Sequence, residues 1–181
     1  MRDRLVVALA ITAFVVAGLG TATASAKGRT GSCAGAYVVA TDAASLAKAG
    51  AAVRCLVNNE RAARGLGALH DSSPLASAAT GHSEDMVANQ LFSHTGSDGS
   101  SVFERVTRAG YRWRAAAEAL TYGVSKRSMP ARLVASLMRS AEHRSILLDR
   151  TYRDLGVGLT LGTPTRGTAR RASTLTLDLA S

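Results

Sequence analysis

Two cysteines, Cys33 and Cys55, are the whole thiol content of this 181-residue chain. Neither has a Cys or His neighbour at metal-ligand spacing, which argues against a cysteine-built metal site. There is no H-E-x-x-H and no C-x-x-C. The G-x-S-x-G frame of a serine hydrolase is also missing, so no nucleophile sits in a recognisable setting. Past the first 20 residues no apolar run approaches the roughly 20 residues that a spanning helix needs. Acidic residues are in deficit, 13 against 22 Lys and Arg, for a formal charge of +9. Such a cationic surface suits anionic polymers. No basic stripe is interleaved with aromatics, which counts against nucleic acid as the partner. There is no internal repeat.

What is present begins with an address. Arg2 and Arg4 precede an almost wholly apolar stretch from Leu5 to Gly20, and Ala24-Ser25-Ala26 has the small-x-small form of a signal-peptidase site. Residues 1–26 therefore read as a secretory signal peptide. A membrane anchor is the alternative, and the shortness of the run weighs against it. In an exported protein two cysteines read as one disulfide. A Cys33–Cys55 bond would tie a glycine-rich arm, residues 27–43, to the first helix and stabilise the fold by roughly 3 kcal/mol. Residues 44–181 then form one domain, ample for a single core.

Helical periodicity runs from Asp42 to Ala63, with Val53, Leu56, Val57, Glu60 and Ala63 on one face, and Gly65 and Gly67 stop it. Asn59, Glu60 and Arg61 in its last turn read as solvated surface with local ion pairing. Ser73 and Pro74 open a second helix as N-cap and first helical position. Leu75, Ala79, His82 and Met86 share its inner face, so His82 reads as a structural histidine, while His70 reads as surface. Ser101-x-x-Glu104 has the form of a capping box. Trp113 is expected to pack on the sheet or a helix. Glu118 to Tyr122 reads as a strand, Pro130 onwards as a third long helix, and Ser140 to Asp149 as a turn or short helix. Two closing strands alternate Leu155, Val157, Leu159, Leu161 and Leu175, Leu177, Leu179, each burying one face. The arginine-rich linker Gly162 to Ala172 between them is expected to be a mobile loop. The order points to an α+β domain with helices packed on a small, mostly antiparallel sheet.

Three polar residues stand apart. His94 lies on a glycine-rich loop (Ser93 to Ser100) between two helices, Glu118 near the start of a strand, and His143 after the third long helix. Two imidazoles and a carboxylate could hold a divalent ion such as zinc. They could equally set up acid–base work on a water, or be three scattered surface residues.

Asn58-Asn59-Glu60-Arg61 with Gly65-Leu66, His82-Ser83-Glu84-Asp85-Met86, Phe92-Ser93-His94, Tyr111, Glu118, Ser140 to Arg144 and Gly156-Val157-Gly158 occur in an order and spacing that resembles bacterial domains of the CAP superfamily (cysteine-rich secretory, antigen 5 and pathogenesis-related proteins, or SCP-like). The resemblance covers about Ala44 to Ser181. It implies a three-layer α-β-α sandwich and a single cleft lined by His94, Glu118 and His143. It implies that His94 and His143 are the pair able to bind a metal, often zinc, with Glu118 as the candidate catalytic group and Ser93 beside it. The second cleft acid usual in relatives has no counterpart in the third long helix, and Glu142 is the nearest candidate. The Gly-Glu-Asn of relatives is Ala117-Glu118-Ala119 here, Leu137 replaces a tryptophan, and Leu175 to Leu179 replaces a strand with an aromatic and Thr-Gln.

Two functions compete on this reading. The first is a secreted, non-enzymatic binding module, free or held at the cell wall, whose partner is an anionic wall polymer, a lipid or another extracellular protein. The second is a zinc-dependent hydrolase acting on peptide or wall substrates. The missing nucleophile and depleted cleft favour the first.

Overall fold

The computed structural model describes residues 31–166 and 171–181. The expected signal peptide, the first residues of the arm, and positions 167–170 of the linker expected to be mobile lie outside the described residues. The elements in order are α1 (Ala43–Ala62), β1 (His70–Asp71), α2 (Ser73–Ala88), α3 (Val102–Arg108), β2 (Ala116–Val124), α4 (Pro130–Arg139), α5 (Ala141–Leu147), β3 (Asp154–Leu161) and β4 (Ala172–Ala180). The sheet order is β1-β3-β4-β2. The short β1 runs parallel to β3, and the other two pairings are antiparallel.

Strand periodicity divides the core. On one face, Ala119, Leu155, Leu175, Leu177 and Leu179 pack with Val53 and Val57 of α1, Leu133, Val134 and Leu137 of α4, and Leu147 of α5. On the other, Ala180 packs with Leu75 and Ala78 of α2 and Val106 of α3. The result is the expected α+β sandwich: helices, sheet, helices. Leu175, Leu177 and Leu179 are each fully buried, and each contributes on the order of 1.5–3 kcal/mol relative to an exposed leucine.

Gly156 and Gly158 bring α2 onto the sheet. A Cβ at Gly156 would fall on the backbone of Leu75 and Ala76, and one at Gly158 on the backbone of Ala79 and Thr80. Helix backbone therefore rests directly on strand backbone. Ser83 Oγ takes part in this contact, donating to the Gly158 carbonyl at 3.0 Å and lying 2.8 Å from Thr176 Oγ1.

Several expectations need correction. β4 does not bury one face only: all nine of its residues are buried, because helices cover both sides. Thr174, Thr176 and Asp178 are therefore interior. Arg61 is not a solvated surface residue. It is 3% exposed and its guanidinium donates to the carbonyls of Gly67, Leu147 and Asp149 at 2.8–2.9 Å. It thereby ties the end of α1 to the end of α5. The Glu60–Arg64 ion pair, at 2.6 Å, is the exposed local pair expected there. The N-cap of α2 is Ser72, one residue before the expected Ser73. Trp113 packs on Phe103 of α3, ring centroids 4.9 Å apart, with Nε1 donating to Thr107 Oγ1. Cys33 and Cys55 are bonded, as expected, and no described cysteine is free.

Candidate functional site: a buried glutamate beneath His94

The polypeptide from Ser93 to Ser100 is fastened at both ends and in the middle. Ser97 N–H donates to Asp85 Oδ2 at 2.8 Å, and Ser97 Oγ also bonds to Asp85. Asn89 Nδ2 donates to the same carboxylate. Gly96 N–H closes the loop on the Ser100 carbonyl at 2.8 Å. Ser100 N–H is taken by Asp98, which also faces Arg108. Those hydrogen bonds hold the exposed Asp98 carboxyl well below its ordinary range. The capping box expected at Ser101 and Glu104 is present, so the loop runs straight into α3.

Behind the loop lies Glu118. It sits on β2, facing α2, and its side chain is 1% exposed. Oε1 accepts from His94 Nδ1–H at 2.7 Å. Oε2 accepts from Arg105 at 2.6 Å. The other donors of Arg105 hold the loop, with Nη1 on the Ser100 carbonyl at 2.7 Å and Nη2 on the His94 carbonyl at 3.1 Å. One guanidinium thus joins both ends of the loop to the buried carboxylate. His82 of α2 completes the floor. Its side chain is fully buried, Nε2 donates to the Ser93 carbonyl at 2.9 Å, and the same nitrogen lies 3.8 Å from Glu118 Oε2. The structural role expected of His82 is what the geometry shows, although it also borders the Glu118 group.

The partners fix the tautomers, since a carboxylate or carbonyl only accepts. His94 carries a proton on Nδ1 and turns Nε2 outward; its side chain is 58% exposed. Its bond to Glu118 raises its pKa above the ordinary 6.5, assisted by the charges of Glu118 and Glu142. Burial lowers that of His82. Glu142 is exposed in the first turn of α5. His143 is half-buried in the same turn, where its backbone N–H donates to Ser140 Oγ. Among the described residues no three His, Cys, Asp or Glu side chains gather at metal-ligating spacing. An exposed aromatic pair, Phe92 and Tyr122, lies edge to face at 5.2 Å. Phe92 is two residues before His94, and Tyr122 is on the same face of β2 as Glu118, four residues further along the strand.

Arg105 and Asp178 were missed by sequence reasoning. Arg105 has the sequence context of an ordinary cationic residue in the last turn of a short helix. Asp178 looks like an outward residue of an alternating strand. Only the burial of both faces of β4 and its register with Glu118 reveal it.

Residues 55–170 match the cysteine-rich secretory protein (CAP) family. The chain belongs to that family. A stretch of 104 residues is 36% identical to the uncharacterized membrane protein YlbC of Bacillus subtilis (strain 168), covering 58% of this chain and 29% of that protein. Among solved structures, an extracellular SCP-domain protein of Bacillus anthracis str. Ames superposes with a TM-score of 0.61 at 24% identity, over 71% of this chain and 38% of the other. An outer surface protein of Borrelia burgdorferi gives 0.61 at 16% identity, over 71% and 89%. These likenesses establish the CAP fold. The chain spans well under half the length of the Bacillus proteins it matches.

The two histidines should titrate on opposite sides of 6.5. His94 has a raised folded pKa, so the stability it contributes is complete below 6.5 and is lost as pH rises through the folded value. His82 has a depressed folded pKa, so its contribution is complete above 6.5 and is lost as pH falls. NMR titration of the imidazoles checks both, and Glu118→Gln is expected to bring the His94 value down towards 6.5 while His82 remains below it.

Proposed function

We propose that this CAP domain is a secreted binding module without an enzymatic reaction of its own. It engages an anionic polymer of the cell wall through the His94 face and the surrounding cationic surface. The observation that carries this reading is the occupancy of Glu118. Both its oxygens are engaged, by His94 and Arg105, and its side chain is almost wholly covered. Such a carboxylate orients His94 and does not reach a water or substrate as a free base. Beside it stand an exposed imidazole of raised pKa, the Phe92–Tyr122 pair, and a chain with formal charge +9. An exposed histidine of raised pKa next to apolar rings suits the acidic and apolar groups of a wall polymer better than it suits hydrolysis. A lipid headgroup or an acidic extracellular protein would meet the same surface. Secretion agrees with the basic and apolar stretch at residues 1–26 and with the extracellular and outer-surface relatives of like fold. No helix among the described residues is long and apolar enough to cross a membrane.

A second reading, a zinc-dependent hydrolase, draws on one observation. An imidazole that gives its Nδ1–H to a carboxylate presents Nε2 as metal-ligating histidines do. His94 and His143 would be the protein ligands, with waters completing the shell, and the ion would lower the pKa of a bound water. Glu118 would then fix the His94 ring.

Co-sedimentation with an insoluble anionic wall polymer separates the readings, with zinc or chelator present and with wild type compared with His94→Ala/His143→Ala. The binding module predicts retention at low salt that falls at least several-fold as ionic strength rises past about 0.15 M, where screening shortens to roughly 8 Å, and that does not need zinc. No retention at low salt overturns it. Zinc-dependent release of soluble fragments, lost in the double variant, favours the hydrolase.

A further inference from the structure

The sheet sets a second carboxyl against Glu118. Glu118 and Asp178 are register partners in the antiparallel β2–β4 pair, so their side chains leave the same face directly opposite each other. On the far side of Asp178 the partner is Gly156, whose missing side chain lets the backbone of Leu75 and Ala76 close over the row. Asp178 is completely buried, and neither of its oxygens receives a donor from another side chain or backbone group. Arg105 is the cation at hand, but it is committed elsewhere: Nη2 serves Glu118, Nη1 serves Ser100, and Nε meets no acceptor.

Two adjoining carboxyls and one guanidinium, shielded from water, do not both hold charge. Glu118 has two donors and Asp178 has none, so the proton belongs on Asp178. With that proton its O–H has Glu118 as acceptor. Burial first, and the charge of Glu118 second, push the Asp178 carboxyl well above its ordinary range, with Arg105 opposing. The other groups around the pair are His82 from α2, neutral, and His94 from the loop.

We propose that Asp178 is a positioning residue of this site, a neutral carboxylic acid whose hydrogen bond to Glu118 holds that carboxylate against His94 Nδ1–H and keeps Nε2 turned to solvent. This goes beyond the proposed function and holds whichever ligand His94 meets.

A carboxyl whose folded pKa is raised contributes stability in full below its ordinary value of 3.8 and loses it as pH rises towards the folded value. Asn at this position keeps a donor to Glu118 and removes the titration.

The test uses the mature protein with 13C-labelled aspartate, together with Asp178→Asn and Asp178→Leu. At neutral pH the Asp178 carboxyl carbon of wild type is expected at the shift of a protonated acid. Asp178→Asn is expected to keep His94 in its Nδ1–H tautomer in two-bond 1H–15N spectra and to gain thermal stability over wild type progressively as pH rises above 3.8. Asp178→Leu, which lacks the donor, is expected to mix the two His94 tautomers. An Asp178 carbon that titrates below about pH 5, in the ordinary carboxylate range, overturns the proposal. So does an unchanged His94 tautomer in a folded Asp178→Leu. If the leucine variant does not fold, the wild-type titration and the Asn variant decide the matter alone.

Discussion

A carboxylate withdrawn from water costs several kcal/mol unless charged or hydrogen-bonding partners surround it. Glu118 is such a group, and the arrangement around the cleft follows from satisfying it. Arg105 neutralises it from α3, His94 covers it from the loop, and His82 borders it from α2. Because Arg105 also binds the carbonyls of His94 and Ser100, the same guanidinium that neutralises the charge sets the path of the loop. His94 is thus exposed yet held in one orientation, which a histidine on a glycine-containing loop would not otherwise be.

The backbone makes this possible. β4 lies between two strands and two helical layers, so every residue along it faces other protein atoms. Opposite Asp178 and Thr176 stand Gly156 and Gly158, and their small size lets α2 settle far enough to carry His82 and Ser83 into the row. A side chain on either glycine would hold α2 away and leave the carboxyls without their cover. The G-x-G of β3 is therefore part of the construction of the site, although neither glycine contributes a side chain to it.

The fold was legible in the sequence because its signals are periodic and local: the leucine alternation of β3 and β4, the Ser101–Glu104 capping box, and the Pro130 start of α4. The family resemblance points to His94, Glu118 and His143 in one cleft, and the structure joins the first two by a hydrogen bond. The residues that escaped are those whose role depends on distant partners. Arg61 looks like any arginine at a helix end until the end of α5 arrives to receive its hydrogen bonds. Arg105 follows a capping box and alternates with no apolar pattern, so nothing local marks it as interior. Asp178 sits in the polar phase of an alternating strand, and period two reads as outward whenever only one face is assumed to be covered. Its place beside Glu118 follows only from the register of two strands.

The central claim is that the Glu118–Arg105 pair is the node of the site. A double-mutant cycle on stability tests it most directly, using Glu118→Gln, Arg105→Met and the pair together in urea unfolding. Breaking one side of a buried pair is expected to cost about 3 kcal/mol or more. The double variant should lose less than the sum by about 2 kcal/mol, since neither charge is then left alone. Losses that add within about 0.5 kcal/mol would mean the two residues act independently, and the account of the loop, the glutamate and His94 as one unit would be wrong.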